Sequence, residues 1–549
     1  MKKYLIPLLA LIALYATFRV GGLDIPYYQD ELDWVVGILG HTQLDPHPPF
    51  SSLIYFVGKA LVGQTHLRLV PFVFGAVNLL LLWAIVKRRV GIRAAYITAA
   101  LFAISFASVL GSLIIDVDGQ WLPFLFLLTL FALDRYRDAS IQGEKRIWAI
   151  LGTTIVIVGL LTKLSFVVAV GALGIEFLIL NRIRWKALSF WITYAGYWLA
   201  VLLLVAMGMY FGRLLTQSYS GSLVFSYTLT FITLHRSWLQ ITIQVVKTLL
   251  YLSPMLVLPS FFLRRARLIA LRPFILFLGF ALFFYVVLFD FSRGALDRYL
   301  LILIVPLCAI AGAAIADVYS HIRFDSRALI IVLVAGAGLI ALQLIPVAVV
   351  PQYPKEEWFR SVVTGHWTFL MPFTGGSGPL GFYVSWLSVG FAWTAAVLAA
   401  LFVFFRHKGH MVAITIIIGV SVAYCVLFVE EYQFGLFNGS AQQLLEQAMI
   451  YIGRTPSITK VITYNDIGSF ELQRLGKYER RLYAAPKFAA SYTDILRAFR
   501  GHYLVIDIPA LAADNRYVKF WQQCPIVFSE RDGAITSTIY DCRESISVP

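Results

Sequence analysis

The chain has 549 residues, 59% of them hydrophobic and 14% charged, with a formal net charge of +15 at pH 7. That charged share is far below the roughly 25% of an ordinary soluble domain, so composition excludes a soluble globular protein and predicts a membrane protein. The positive balance does not indicate nucleic acid, because residues 430–549 hold 13 basic and 13 acidic side chains and the whole excess lies in the apolar part. There it reads as topology and as contact with anionic inner-leaflet lipid.

In chain order, apolar runs near the ~18–20 residues that cross a bilayer fall at 4–20, 69–86, 94–113, 120–133, 147–161, 164–180, 188–211, 240–263, 273–289, 299–316, 328–349, 381–405 and 411–428. The pattern predicts about 13 transmembrane helices. Residues 1–20 resemble a secretory signal, with Lys2 and Lys3 before an apolar run, but no cleavage site follows and the run reads as the first span. Loops rich in Lys and Arg stay in the cytoplasm. With the N-terminus inside, the inner segments ("MKK", "KRRVGIR", "DRYRDASIQGEKR", "NRIRWK", "RRARLIALR", "HIRFDSR", "RHKGH") carry 21 basic residues and the alternate segments 8. The expected protein is a multi-pass protein of the cytoplasmic membrane.

Composition changes at Glu430 and Glu431, which divides the chain into a transmembrane domain, 1–429, and a small extracytoplasmic α/β domain, 430–549. Within the latter, "SAQQLLEQAMIYI" has helical spacing, "KVITYND", "RRLYAA" and "HYLVIDIP" read as strands, and Asp532-Gly533 reads as a hairpin turn. Cys524 and Cys542 flank that hairpin, and an oxidising compartment would bridge them; two buried free thiols is the competing reading. Neither a metal-type Cys/His spacing nor a phosphate loop occurs, so no cofactor is indicated. A divalent cation between carboxylates and a phosphate remains compatible with the acids present.

Those acids gather on one predicted membrane face. The first outer loop holds Asp30, Glu31 and Asp33 in "YYQDELDW" and continues through "DPHPPF". The second, "LIIDVDGQW", holds Asp116 and Asp118; the third, "LLTKLSF", holds Lys163; a later one, "DFSRGALDRYLL", holds Arg293, Asp297, Arg298 and Tyr299. Each has a plainer reading. Asp30 serves as a loop acid or helix N-cap, the Pro-Pro as a rigid turn, Lys163 as a snorkelling side chain, Arg298 and Tyr299 as interface anchors. Together they suit sugar transfer from a lipid phosphate to a hydroxyl, in which a carboxylate takes the acceptor proton while cations stabilise the departing phosphate.

The order "DE", "HPPF", "IDVDGQWLPFLFLLTLFALDRY", "GLLTKLSF" and "DRYLLILIVPLCAIAGA" resembles the protein O-mannosyltransferase and lipid A aminoarabinose transferase family of C-type glycosyltransferases, most strongly over residues 1–320. The resemblance implies a multi-span fold, an extracytoplasmic site, a polyprenyl-phosphate-linked sugar donor and inversion at the anomeric carbon. It places the catalytic acids on Asp30 and Glu31 and the second-loop acid on Asp118, with Asp116 competing. It assigns the donor-phosphate cation to Lys163, where Leu164 replaces the usual Gly, and the "RY" pair to Arg298 and Tyr299, with Arg293 close by in the same loop. It gives His47, Pro48 and Pro49 a site-shaping role. The rival classes are a transporter or lipid flippase, whose charges would line a path through the bilayer, and a binding member of the same family without catalysis.

Overall fold

A computed structural model describes residues 2–28, 31, 34–35, 48, 50–51, 53–216, 226, 229, 236–290, 296–319, 326–351, 356–373, 380–406, 410–464, 467–482, 499–508 and 510–544. Among these, eight helices are long and apolar enough to cross a membrane: Tyr4–Gly22, Leu69–Arg89, Gln142–Thr162, Leu188–Phe211, Arg265–Leu288, Leu300–Val318, Trp386–Phe405 and Met411–Gln433. A further pair of helices is apolar and long enough only when taken together across a sharp bend. The run at 240–263 forms Trp238–Leu252 and Pro254–Phe262, bent by 92°. Ser253 sits at the bend with φ 67, a left-handed conformation that a serine adopts at a cost, and Pro254 cannot donate back into the preceding turn.

The remaining expected spans are helical but shorter or more charged. Ile92–Ile104, Leu164–Leu180 and Ile330–Gln343 fall short in length, and Trp121–Asp138 ends in the charged sequence DRYRD. The run 94–113 is interrupted at Ser105, whose extended ψ of 128 separates Ile92–Ile104 from Phe106–Gly111.

Contacts divide the chain into two units: residues 1–23, 34–325 and 396–418 form the first, and 24–33, 326–395 and 419–549 the second. In the first, Leu300–Val318 is the most enclosed span, 83% buried. Its small residues Ala309, Ala311, Gly312, Ala313 and Ala314 are all buried and let Ile92–Ile104 approach closely, the device that membrane helices use in place of hydrophobic exclusion. Polar clamps reinforce the packing. Arg89 Nε donates to Asp134 Oδ2 at 2.9 Å, Arg267 Nη2 to Asp317 Oδ1 at 2.9 Å, and Arg272 Nε to Glu176 Oε2 at 2.5 Å. Each pairs a buried acid with an arginine, which offsets the desolvation that a lone carboxylate would suffer.

The second unit contains two sheets. Strand β1 (Ala348–Val349) pairs parallel to β2 (Phe369–Phe373), which pairs antiparallel to β3 (Phe382–Ser385). The larger sheet has order β5-β4-β6-β8-β7, with β4 (Val461–Tyr464) parallel to both β5 (Tyr478–Leu482) and β6 (His502–Ile506). Strands β7 (Ile526–Asp532) and β8 (Ile535–Asp541) form the expected hairpin, and β8 runs antiparallel to β6. Gly533 occupies the turn at φ 53, and a Cβ there would stand 2.5 Å from the backbone of Asn438, so the turn requires glycine twice over. Ala441–Arg454 is capped by Ser440, whose Oγ accepts from Gln443 N–H at 3.3 Å. Tyr464, Tyr503, Tyr517, Phe520 and Trp521 form the core with Cys524 and Cys542, which are joined by a disulfide. Asn438, in a glycosylation-type sequon, is buried and donates its amide to Gln343 Oε1 at 2.9 Å.

Candidate active site

The first unit collects the second-loop acids, the third-loop lysine and the later "RY" pair. The loop between Phe106–Gly111 and Trp121–Asp138 carries Asp116 and Asp118, both buried, and is pinned from several directions. Arg19 Nε donates to Ser112 Oγ at 2.6 Å, Arg68 Nη1 donates to Leu113 O, Tyr55 Oη donates to Asp116 O at 2.8 Å, and Asn78 Nδ2 donates to Gln120 O at 2.8 Å. The loop closes on itself where Gly119 meets Gly111: a Cβ on Gly119 would lie 2.2 Å from Gly111 O. A side chain at that contact would push backbone against backbone.

Within the loop, Asp116 Oδ1 accepts from the N–H groups of Val117 and, at 3.3 Å, of Asp118. This turn directs Oδ2 to Arg298 Nε, 3.0 Å away. Lys163 leaves the last turn of Gln142–Thr162 in an extended conformation, which frees its side chain to donate to Asp118 Oδ2. Its Nζ lies 4.5 Å from the centre of the Tyr299 ring, and the Arg298 guanidinium carbon lies 5.2 Å from the same ring. Two buried cation–carboxylate pairs therefore share one aromatic partner. Burial pushes the Asp118 carboxyl up to about 6 despite the opposing Lys163 ammonium. Its Oδ1 has no hydrogen-bond partner among the described residues.

Two further contacts seat Lys163. Phe50 N–H donates to Leu161 O at 3.0 Å, which brings the segment after Pro48 beside the end of the lysine's helix; Ser51 Oγ donates to Pro48 O at 2.7 Å. Trp121 Nε1 donates to Thr162 Oγ1 at 3.3 Å, tying the end of the acid loop to the residue before Lys163.

Glu31 lies in the second unit, fully buried, with Oε2 accepting from Tyr28 N–H at 3.3 Å. Asp30, His47, Pro49 and Arg293 fall outside the described residues. Sequence reasoning missed Tyr285, whose ring stacks on Tyr299 with centroids 5.8 Å apart and planes at 12°. It lies in a π-helical stretch, Phe283–Leu288, a distortion frequent at functional sites. Its apolar context, "FFYVVLF", carries no signal. Arg19 and Arg68 did carry one, since each is a charge at the edge of an apolar run. Among the described residues no group of three His, Cys, Asp or Glu forms a metal cluster. Asp116 and Asp118 each already face a cationic side chain.

The fold is that of a multi-span helical membrane protein and is shared with C-type glycosyltransferases of known structure. Residues 46–211 match the family described as dolichyl-phosphate-mannose-protein mannosyltransferase. The chain superposes on ArnT from Cupriavidus metallidurans in the apo state with a TM-score of 0.57 and 13% identity over 98% of both chains. On the same protein bound to undecaprenyl phosphate the TM-score is 0.58, with 14% identity over 98% of both chains. No curated protein sequence matches the chain. The resemblance to C-type glycosyltransferases seen in the motifs thus stands, with the fold supported along nearly the whole chain.

Proposed function

We propose that the protein is an inverting glycosyltransferase that moves a sugar from a polyprenyl-phosphate-linked donor to a hydroxyl of an envelope glycan, lipid or protein. The observation that carries this reading is the pair of buried cations, Lys163 and Arg298, held side by side by Asp118 and Asp116 around Tyr299. A lipid-linked phosphate fits such a place: the cations partly neutralise it, and Arg298 has the fork geometry suited to phosphate oxygens. The binding of undecaprenyl phosphate by the ArnT of matching fold supports the same lipid class.

In this reaction the acceptor oxygen attacks the anomeric carbon from the face opposite the phosphate. The C–O bond to phosphate breaks as the new bond forms, and the phosphate leaves with the bonding pair. Asp30 takes the acceptor's proton, Glu31 supports that acid, and Lys163 and Arg298 hold the charge that develops on the leaving group. No general acid is needed, because a phosphate leaves as an anion. The excess of Lys and Arg in alternate loops supports an extracytoplasmic site in the cytoplasmic membrane.

The test uses purified protein reconstituted with polyprenyl-phosphate-linked pentoses and hexoses and a labelled acceptor extract. Wild type is expected to form product with inverted configuration, and Asp30→Asn to lose at least about a hundredfold in turnover while remaining folded. Full turnover by folded Asp30→Asn would remove the base assignment; failure of every lipid donor would remove the reaction.

A further inference from the structure

The first unit contains a cavity of about 360 Å³ that is not part of the acid site. It lies among the Trp121–Asp138, Gln142–Thr162, Val167–Leu180 and Leu188–Thr216 helices. On Gln142–Thr162 its lining ends at Val156, about two turns short of Lys163. The volume is in the range of a small-molecule site, and its walls are mainly apolar and aromatic.

The wall is ordered by stacking. Tyr194 lies parallel to Phe177, with centroids 6.2 Å apart at 8°, and to Phe190, 6.2 Å apart at 13°. The lining is kept open at one position by glycine: a Cβ at Gly152 would meet only Ala132 Cβ, at 3.7 Å. Polar groups are sparse. Thr153 Oγ1 and Tyr197 Oη share a hydrogen bond of 3.1 Å, and Asn181 Nδ2 donates to Phe177 O at 2.8 Å.

Charge at the chain ends next to the lining is of one dominant sign. Arg135 and Arg137 bracket the lining residue Tyr136, Arg146 precedes Trp148, and Arg182 and Lys186 follow Asn181; all five cations are exposed. The nearby exposed acids are Asp138 and Glu144, and both are engaged, Asp138 by Arg137 Nε at 3.1 Å and Glu144 by Trp148 Nε1 at 3.4 Å. A narrow aromatic cleft on membrane-spanning helices with a cationic border matches an amphipathic anion with a long hydrocarbon chain. We propose that this cleft is a binding site for one anionic phospholipid, its acyl chain against Phe177 and Tyr194 and its phosphate over Arg182 and Lys186.

The test is native mass spectrometry of the full-length protein released from nanodiscs of mixed phosphatidylglycerol and phosphatidylcholine. Wild type is expected to retain one phosphatidylglycerol with about tenfold preference over phosphatidylcholine. Gly152→Phe, which fills the cleft, is expected to lower that retention about tenfold. Arg182→Gln with Lys186→Gln, on the exposed border, is expected to abolish the preference even if the cleft-filling variant does not fold. Equal retention of the two lipids by wild type, an unchanged preference in the border variant, or displacement of phosphatidylglycerol by an added polyprenyl phosphate would overturn the proposal.

Discussion

At Lys163 a single side chain has two separable duties. It neutralises Asp118, which is fully buried, and in the proposed reaction it also holds the departing phosphate. Removing one partner of a buried pair leaves an uncompensated charge and costs roughly 3–5 kcal/mol, whereas removing both charges costs far less. Lys163→Met is therefore expected to be destabilised by about that amount and to lose about 10²–10³ in turnover. Lys163→Met combined with Asp118→Asn is expected to regain most of the stability and none of the turnover. Thermal unfolding in detergent beside a donor-turnover assay checks both; recovery of turnover in the double variant would show that Lys163 acts only through its partner. The same reasoning leaves Asp116 and Asp118 as equals, because each holds one cation.

At the scale of an element, the short loop from Gly111 to Trp121 matters more than any helix. Apart from its acids it is polar only at Ser112 and Gln120, and its shape depends on side chains that reach it from elsewhere: Arg19, Tyr55, Arg68 and Asn78. A Cβ at Gly119 would collide with backbone, so no rotamer change relieves it. Gly119→Ala is expected to displace both acids, with at least about a tenfold loss of turnover and about 1–3 kcal/mol of stability. Gly143→Ala, where a Cβ would meet nothing within 4 Å, is the matched control and is expected to behave as wild type. Turnover and melting of the two variants, measured side by side, decide this. Equal behaviour would mean that the loop tolerates the shift and does not set the acids' positions.

At the scale of the whole molecule, the two units gain stability by different means. The first combines close helix packing with buried ion pairs, the second a sheet with an aromatic core and a disulfide. In the second unit His502 is buried in β6, 3.8 Å from Asp541, and burial pushes its imidazole below the ordinary value of 6.5. The folded state therefore resists a proton that the unfolded state accepts near 6.5, so stability is full above that pH and declines as pH falls through it. Hydrogen exchange of β6 amides, corrected for intrinsic rates, is expected to speed up between about pH 7.5 and about pH 5.5 in wild type and to change less in His502→Gln. Identical pH dependence in both proteins would exclude the histidine as the cause.

The sequence by itself determined what depends on local pattern. Turn residues at 532–533 marked the hairpin that the structure contains, and apolar runs marked helices, eight of which among the described residues are long enough to cross a membrane. These features are legible because hydrophobicity and backbone preference act over a few neighbouring residues. The order of the motifs likewise carries the resemblance to C-type glycosyltransferases. Only the tertiary structure decided which acid faces which cation, that the apolar run at 240–263 bends sharply at Ser253, and that Tyr285 stacks on Tyr299. Those outcomes join residues well separated in the chain, 45 positions for Lys163 and Asp118, or turn on one strained dihedral, and neither leaves a period in the chain that a local reading can detect.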